Sequence, residues 1–293
     1  MPTEIRPRRS MLYMPGANAR ALEKARGLAA DALIFDLEDA VLPDAKPGAR
    51  QIITEALAAG GYGKREKLLR VNGLDTEWGH DDLVAAAVMD IHGVVLPKIE
   101  SAATIKQSLA ILDRAGAPSS LAIWVMMETP LAMLHVEEIA TASPRLAGFI
   151  MGTSDLANDL HASHTRDRLP LLTGLSLCLL AARAYGLAIL DGVYLDLADD
   201  EGFAQSCRQG IELGFDGKTL IHPKTIDAAN AAYAPTEAEI AQARKFIAGF
   251  EAAQAEGKGV VLVDGKLVEN LHVANAKRLV ALADRIAELG SAA

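Results

Sequence analysis

Short apolar runs recur along the chain, each closing on a cluster of polar residues and followed by an Ala-rich stretch with helical spacing. Eight of these runs predict strands, at 10–14, 32–37, 68–71, 93–97, 121–127, 147–151, 187–190 and 217–221. Few of them alternate polar with apolar residues, which is the pattern of parallel strands covered on both faces. Between them, 19–29, 46–59, 101–114, 130–141, 169–185 and 199–213 predict helices. Strands and helices in this alternation predict an α/β fold, a closed (β/α)8 TIM barrel. A doubly wound open sheet would place a Gly-rich phosphate turn after its first strand. Met14-Pro15-Gly16-Ala17-Asn18 is a turn of another kind.

After residue 235 the pattern changes. Residues 236–254 read as a helix opened by a capping box, Thr236 with Glu239. Residues 259–268 read as a hairpin around Asp264-Gly265, and 270–289 as an amphipathic helix. The expected division is a catalytic barrel over 1–235 and a lid or oligomerisation segment over 236–293.

The 293 residues suit a single barrel. Hydrophobic residues make up 51% of the chain, yet no apolar run approaches the roughly 20 residues that span a bilayer. The charged N-terminus lacks the apolar stretch of a signal peptide, so the expected location is the cytoplasm. A net charge of −9 argues against nucleic acid as a partner. Cys178 and Cys207 sit in predicted helices without metal or disulfide spacing. The basic residues Arg6, Arg8, Arg9 and Arg20 leave two readings: a solvated basic terminus, or a basic entrance for a phosphorylated ligand.

In such barrels chemistry gathers where strands end. The polar residues ending the apolar runs are Asp36-Leu37-Glu38-Asp39, Arg70-Val71-Asn72, Pro97-Lys98, Glu128-Thr129-Pro130, Thr153-Ser154-Asp155 and His222-Pro223. Glu128 and Asp155 put carboxylates on successive strand ends, with positions left for water and substrate. That donor set suits Mg2+. The competing reading makes Glu128 a helix cap and Asp155 a turn residue. Arg70 offers a fork for a carboxylate or enolate oxygen, or alternatively an internal ion pair with one of the strand-two acids. Glu38 and Asp39 are expected around the metal, holding its water or orienting Arg70 or Lys98. His222 is expected to line the site through its backbone. Lys98 is not read as a covalent lysine, because the paired carboxylates already supply an electrophile.

Together these segments resemble the citrate lyase β-subunit-like family of acyl-CoA lyases, within the HpcH/HpaI aldolase/citrate lyase group. The resemblance rests on Arg8 to Gly16, Phe35 to Val41, Arg70 to Asn72, Leu96 to Lys98, Met127 to Pro130 and Gly152 to Leu156, in that order. It implies a Mg2+-dependent barrel, a homotrimer or hexamer, that cleaves a CoA thioester of the malyl-CoA, citramalyl-CoA or citryl-CoA type to acetyl-CoA and a 2-oxo acid. It implies metal ligation by Glu128 and Asp155, substrate binding by Arg70, and contact with the CoA ester by Tyr13 and Arg20. Where family members read DGKMID, with the last aspartate serving a neighbour's active site as acid or base, this chain reads Asp264-Gly265-Lys266-Leu267-Val268-Glu269. Glu269 is therefore the expected acid. Four alternatives stay open: a citrate lyase β subunit acting on a carrier-bound citryl thioester, a malyl-CoA thioesterase, an aldolase of free sugar acids, and a non-catalytic binding subunit.

Overall fold

The structure is a computed structural model and describes residues 5–290. Eight parallel strands close into a TIM barrel: β1 (Ser10–Pro15), β2 (Ala32–Asp36), β3 (Glu66–Arg70), β4 (Gly93–Leu96), β5 (Ala122–Met127), β6 (Leu146–Met151), β7 (Ala188–Asp191) and β8 (Gly217–Leu220). β8 returns to pair with β1, Ser10 lying opposite Lys218. Each predicted strand is present, with ends shifted by one or two residues. β3 starts earlier than its apolar run, because Glu66 and Lys67 belong to it.

Side chains alternate between the two faces of each strand. Met11, Ala32, Ile34, Leu68, Val95, Trp124, Met126, Ile150 and Leu190 form a cluster of buried side chains, with Tyr13 packed against it. Their alternates, among them Leu12, Leu33, Phe35, Leu69, Val94, Val125, Phe149 and Ile189, pack with the helices in a second, larger core. Two-residue spacing carries the inner columns upward to Tyr13 on β1, Asp36 on β2, Arg70 on β3 and Glu128 just past β5. Polar groups thus cap the inner columns at the strands' C-terminal ends.

The N-terminal end of the barrel is closed by charge. Arg8 binds Glu66 side by side, with Nη2 to Oε1 at 2.9 Å, and its guanidinium lies 4.8 Å from the Trp124 ring. Arg9 binds Asp31 through Nε at 2.8 Å and Nη2 at 2.7 Å. Both arginines precede β1 and are internal ion pairs. This corrects the basic entrance: Arg9 stands at the opposite end of the barrel from Arg20, and neither Arg8 nor Arg9 is simply solvated.

The predicted helix over 130–141 is two short helices, Pro130–Leu134 and Val136–Ala140. His135 leaves helical geometry between them and donates from Nδ1 to the Glu100 carbonyl at 2.8 Å. The predicted helix over 169–185 begins with a 3-10 turn, Leu169–Leu171, before Leu172–Ala184. Cys178 and Cys207 are buried free thiols, and burial pushes them up to about 12 and about 11.

The barrel spans residues 8–233. Residues 234–290, with 5–7, form a separate compact unit. Its helix Glu237–Ala255 opens with the predicted capping box. Its hairpin pairs β9 (Val261–Val263) with β10 (Lys266–Val268). Asp264 and Gly265 turn it with φ of +50° and +76°, the left-handed pair that two-residue hairpins require. Phe250, Val268 and Val273 make its core, and the helix Asn270–Gly290 completes it. Among the described residues no helix is long and apolar enough to cross a membrane.

Candidate active site

Glu128 is the most buried carboxylate of the candidate pair, at 2% exposure. Its Oε1 accepts from the Lys98 backbone N–H at 2.7 Å. Lys98 aims that N–H by taking φ of +48°, a left-handed conformation that residues with a side chain rarely adopt. On the other side Glu128 lies against Gly152. A methyl group at Gly152 would overlap Glu128 Cβ and Oε2 and stand 3.1 Å from Cδ, so only glycine leaves room for the carboxylate. Gly152 also caps the helix Thr153–Asp159, which carries Asp155 in its first turn. Asp155 is half-buried, and its carboxylate has no hydrogen bond or ion pair among the described residues.

Arg70 is committed in a way the sequence only half suggested. Its Nε and Nη2 meet Asp36 fork to fork, at 2.7 and 2.6 Å. Asp36 also accepts from the N–H groups of Glu38 and Ala40, at 2.9 and 3.2 Å, which folds the following turn around its carboxylate. The Arg70 Nη1 faces Glu38 at 2.7 Å and Asp39 at 3.3 Å. Its guanidinium lies 4.8 Å from the Tyr13 ring, and Met126 Sδ sits below, 3.6 Å from Nη1 and 3.8 Å from the Tyr13 hydroxyl. The internal ion pair is therefore present, and Nη1 is the edge turned toward the other carboxylates.

Sequence reasoning missed what holds this turn from below. Lys46 is buried and donates from Nζ to the carbonyls of Leu37 and Glu38, at 2.9 and 2.8 Å, and to Asn72 Oδ1 at 2.7 Å. Asn72 donates from Nδ2 to Leu37 O and to Asp82, which Arg50 neutralises. Lysine at the first turn of a helix reads as a solvated charge, so no local pattern announces Lys46. A second buried network also escaped. Asp191, at the end of β7, joins Lys218 Nζ at 2.8 Å and Arg168 Nη1 at 2.6 Å, with Asp191 and Lys218 fully enclosed.

The cluster is over-negative. Among the described residues, the carboxylates of Asp36, Glu38, Asp39, Glu128 and Asp155 are faced by Arg70 and Lys98, while Lys46 beneath the turn is spent on carbonyls and Asn72. Burial, reinforced by Asp155 and opposed by the Lys98 N–H and Arg70, pushes Glu128 up to about 7. Burial, with Asp39 and Glu128 adding and Arg70 opposing, pushes Glu38 up to about 8. Burial disfavours the Lys98 ammonium, but the fields of Glu38, Asp155, Asp39 and Glu128 outweigh it and raise its pKa. Asp36 holds the Arg70 charge against burial. A divalent cation would relieve this imbalance. Among the described residues no three His, Cys, Asp or Glu converge as a metal cluster. A cation here would take two protein carboxylates and fill its remaining positions with water or ligand oxygens, as Mg2+ does.

The expected residues divide into four groups. Tyr13, Glu38, Asp39, Arg70, Glu128 and Asp155 share one cluster of mutual fields or contacts. Arg20 is exposed on the helix that follows β1. Glu269 is exposed in the C-terminal unit, just before its last helix. His222 is exposed and accepts from the Lys224 N–H at 3.0 Å through Nδ1, which makes it a side-chain cap.

A closed parallel barrel with a carboxylate pair and an arginine gathered at its C-terminal strand ends is the architecture of a (β/α)8-barrel enzyme. The chain belongs to the HpcH/HpaI aldolase/citrate lyase family, whose model matches residues 9–223. It is 50% identical over 291 residues to a (3S)-malyl-CoA thioesterase of Cereibacter sphaeroides, covering 99% of this chain and all of that one. It is 38% identical over 286 residues to the citrate lyase subunit beta of Escherichia coli, covering 96% and 95%. A solved structure of protein CitE from Mycobacterium tuberculosis, in complex with magnesium, acetoacetate and coenzyme A, superposes with a TM-score of 0.74 at 29% identity, covering 94% and 97%. The family expected from the strand-end motifs is thus borne out.

Proposed function

We propose that this chain is a Mg2+-dependent lyase that splits the carbon–carbon bond of a malyl- or citramalyl-type CoA thioester into acetyl-CoA and a 2-oxo acid. The observation that carries the reading is the Glu128–Asp155 pair. One carboxylate is buried and pinned at one oxygen, the other is half-buried without a partner, and both lie in a cluster with more negative than positive charge. The CitE complex with magnesium and coenzyme A supports the metal and the thioester class.

Glu128 and Asp155 would hold the Mg2+, with Glu128 kept in place by the Lys98 N–H and the gap at Gly152. When bound, the metal makes a coordinated hydroxyl more acidic and polarises a carbonyl. Arg70 presents Nη1 where negative charge develops on the thioester oxygen, and Glu38, which shares that edge, yields it to the substrate. Tyr13 and Met126 form the floor beneath that edge, and Arg20 meets the CoA portion. A base takes the hydroxyl proton as the carbon–carbon bond breaks, and Glu269 returns a proton to the enolate carbon. The reading includes a homo-oligomer, a trimer or hexamer, in which Glu269 of one chain serves the barrel of the next, making residues 236–293 a lid and assembly segment.

Hydrolysis of the thioester is the second reading. It is favoured by the full-length similarity to a protein named (3S)-malyl-CoA thioesterase and by glutamate at 269 in place of aspartate. Malyl-, citramalyl-, methylmalyl- and citryl-CoA, each incubated with Mg2+, test both. Acetyl-CoA release, or propionyl-CoA release from methylmalyl-CoA, supports the lyase, and free CoA without either acyl-CoA product supports hydrolysis. Full activity of Glu128→Ala at saturating Mg2+ would sink the site itself.

A further inference from the structure

Lys98 is placed in a way its neighbours do not require. Its backbone N–H alone serves Glu128, and any residue but proline supplies that group. Glycine would supply it without strain, since φ of +48° is open to glycine and costly for a side-chain-bearing residue. The side chain at this position is a lysine, exposed just beyond the C-terminal end of β4. Its ammonium makes no hydrogen bond or ion pair with any described residue. The other cations of this region are committed: Arg70 to Asp36 and Glu38, Lys46 to carbonyls and Asn72, Arg50 to Asp82. Lys98 is thus an available positive charge, held on a strained backbone directly beside the Glu128–Asp155 pair.

We propose that Lys98 is a substrate-positioning residue whose ammonium receives the free carboxylate of the acyl group. This rests on the reading of the site as one for β-hydroxy acyl thioesters that also carry a free carboxylate. The strained backbone delivers two services from one residue: the N–H fixes a metal-binding carboxylate, and the side chain delivers the charge that an acidic acyl group needs next to it. A lysine here also weakens the pull of the carboxylates on a cation. Lys98 therefore acts with opposite sign on the metal and on the substrate.

That opposition is the test. Lys98→Gly keeps the N–H and removes both strain and charge, so the variant is expected to melt at or above the wild-type temperature. Mg2+ alone, titrated calorimetrically, is expected to bind about three- to ten-fold more tightly, because a like charge has gone. With Mg2+ present, (S)-malate is expected to bind about ten-fold or more weakly, the loss of one charge-assisted hydrogen bond. KM for malyl-CoA should rise in proportion with a smaller change in kcat, and malyl-pantetheine, which lacks the CoA phosphates, should suffer the same rise. Lys98→Arg should recover much of the malate affinity. Unchanged malate binding in Lys98→Gly would overturn the proposal. So would joint weakening of Mg2+ and malate, which marks a structural role, or a KM effect that vanishes with malyl-pantetheine, which moves the contact to the phosphates. Absence of malate binding to the wild type would overturn it as well. The metal and malate titrations need no turnover, so failure of every CoA thioester as substrate would remove the functional reading while Lys98 is still judged.

Discussion

Replacing Gly152 with alanine tests the site through a single methyl group. The added carbon would overlap Glu128 Cβ, which belongs to the chain just past β5 and is no flexible tip, and Oε2, which is one of the two carboxylate oxygens. Either the strand ends part or the Glu128 side chain turns away from the Lys98 N–H. Overpacking of this kind costs about 1–3 kcal/mol. In a barrel of this size that lowers the melting temperature by about 2–4 °C per kcal/mol. The larger effect falls on the metal, because a carboxylate pushed off its position loses the geometry its supports maintain, worth about 10- to 100-fold in affinity. The assay is a melting curve of each protein with and without Mg2+, joined to a calorimetric Mg2+ titration. Gly48→Ala is the control. Gly48 lies in the helix Lys46–Ala59 with open space around it, so alanine there should stabilise by about 0.5–1 kcal/mol and leave Mg2+ binding alone. A Gly152→Ala protein with wild-type melting and wild-type Mg2+ affinity would refute the argument that this gap seats Glu128.

Further outcomes follow from the same geometry. Glu128 is held at about 7 and Glu38 at about 8, both above the ordinary 4.5, so the folded state keeps these protons more tightly than the unfolded one. Their destabilising effect is absent below about 4.5 and grows as pH rises toward 8. The metal-free Glu128→Gln protein should therefore gain stability over wild type as pH rises from 5 to 8, by about 3 kcal/mol at most; a melting-temperature difference that stays constant with pH would contradict this. Mg2+ should stabilise the wild type more at pH 8 than at pH 6 and should leave Glu128→Gln nearly unmoved, as melting curves with added Mg2+ would record. Lys46→Met strips the donor from Leu37 O, Glu38 O and Asn72 Oδ1 and should cost about 2–3 kcal/mol in urea unfolding, with Lys46→Arg failing to restore it. Asp191→Asn leaves the enclosed Lys218 without its counter-charge and should cost about 3–5 kcal/mol by the same measurement.

The barrel was legible because each strand is a compact apolar run, and part of the candidate site was legible because on three strands a charged residue continues the inner column. Asp36 continues Ala32 and Ile34, Arg70 continues Leu68, and Glu128 continues Trp124 and Met126. What stayed hidden depends on pairing across distance. Arg8 and Arg9 look like a basic terminus until Glu66 and Asp31 are brought beside them. Asp36 looks like a spare acid until Arg70 arrives fork to fork. The start of β3 was missed for the same reason, since charged Glu66 faces a partner and not water. The left-handed Lys98 has no sequence signal at all, because lysine is among the residues that seldom take that conformation.

Closing the ring of strands has a consequence for the newborn chain. Ser10 Oγ donates to Asn230 Oδ1 at 2.7 Å, while Asn230 Nδ2 reaches back to Ala29 O, contacts 220 and 201 residues apart. During synthesis the first strand is made long before the eighth and must wait for it before its second edge is paired. Through that interval β1 presents an open ladder of backbone donors and acceptors flanked by Met11 and Leu12, the arrangement that invites strand-to-strand association. Ribosome-bound chains truncated before residue 217 should accordingly recruit chaperones at β1 and release them once β8 has emerged, a dependence that crosslinking from position 12 would map.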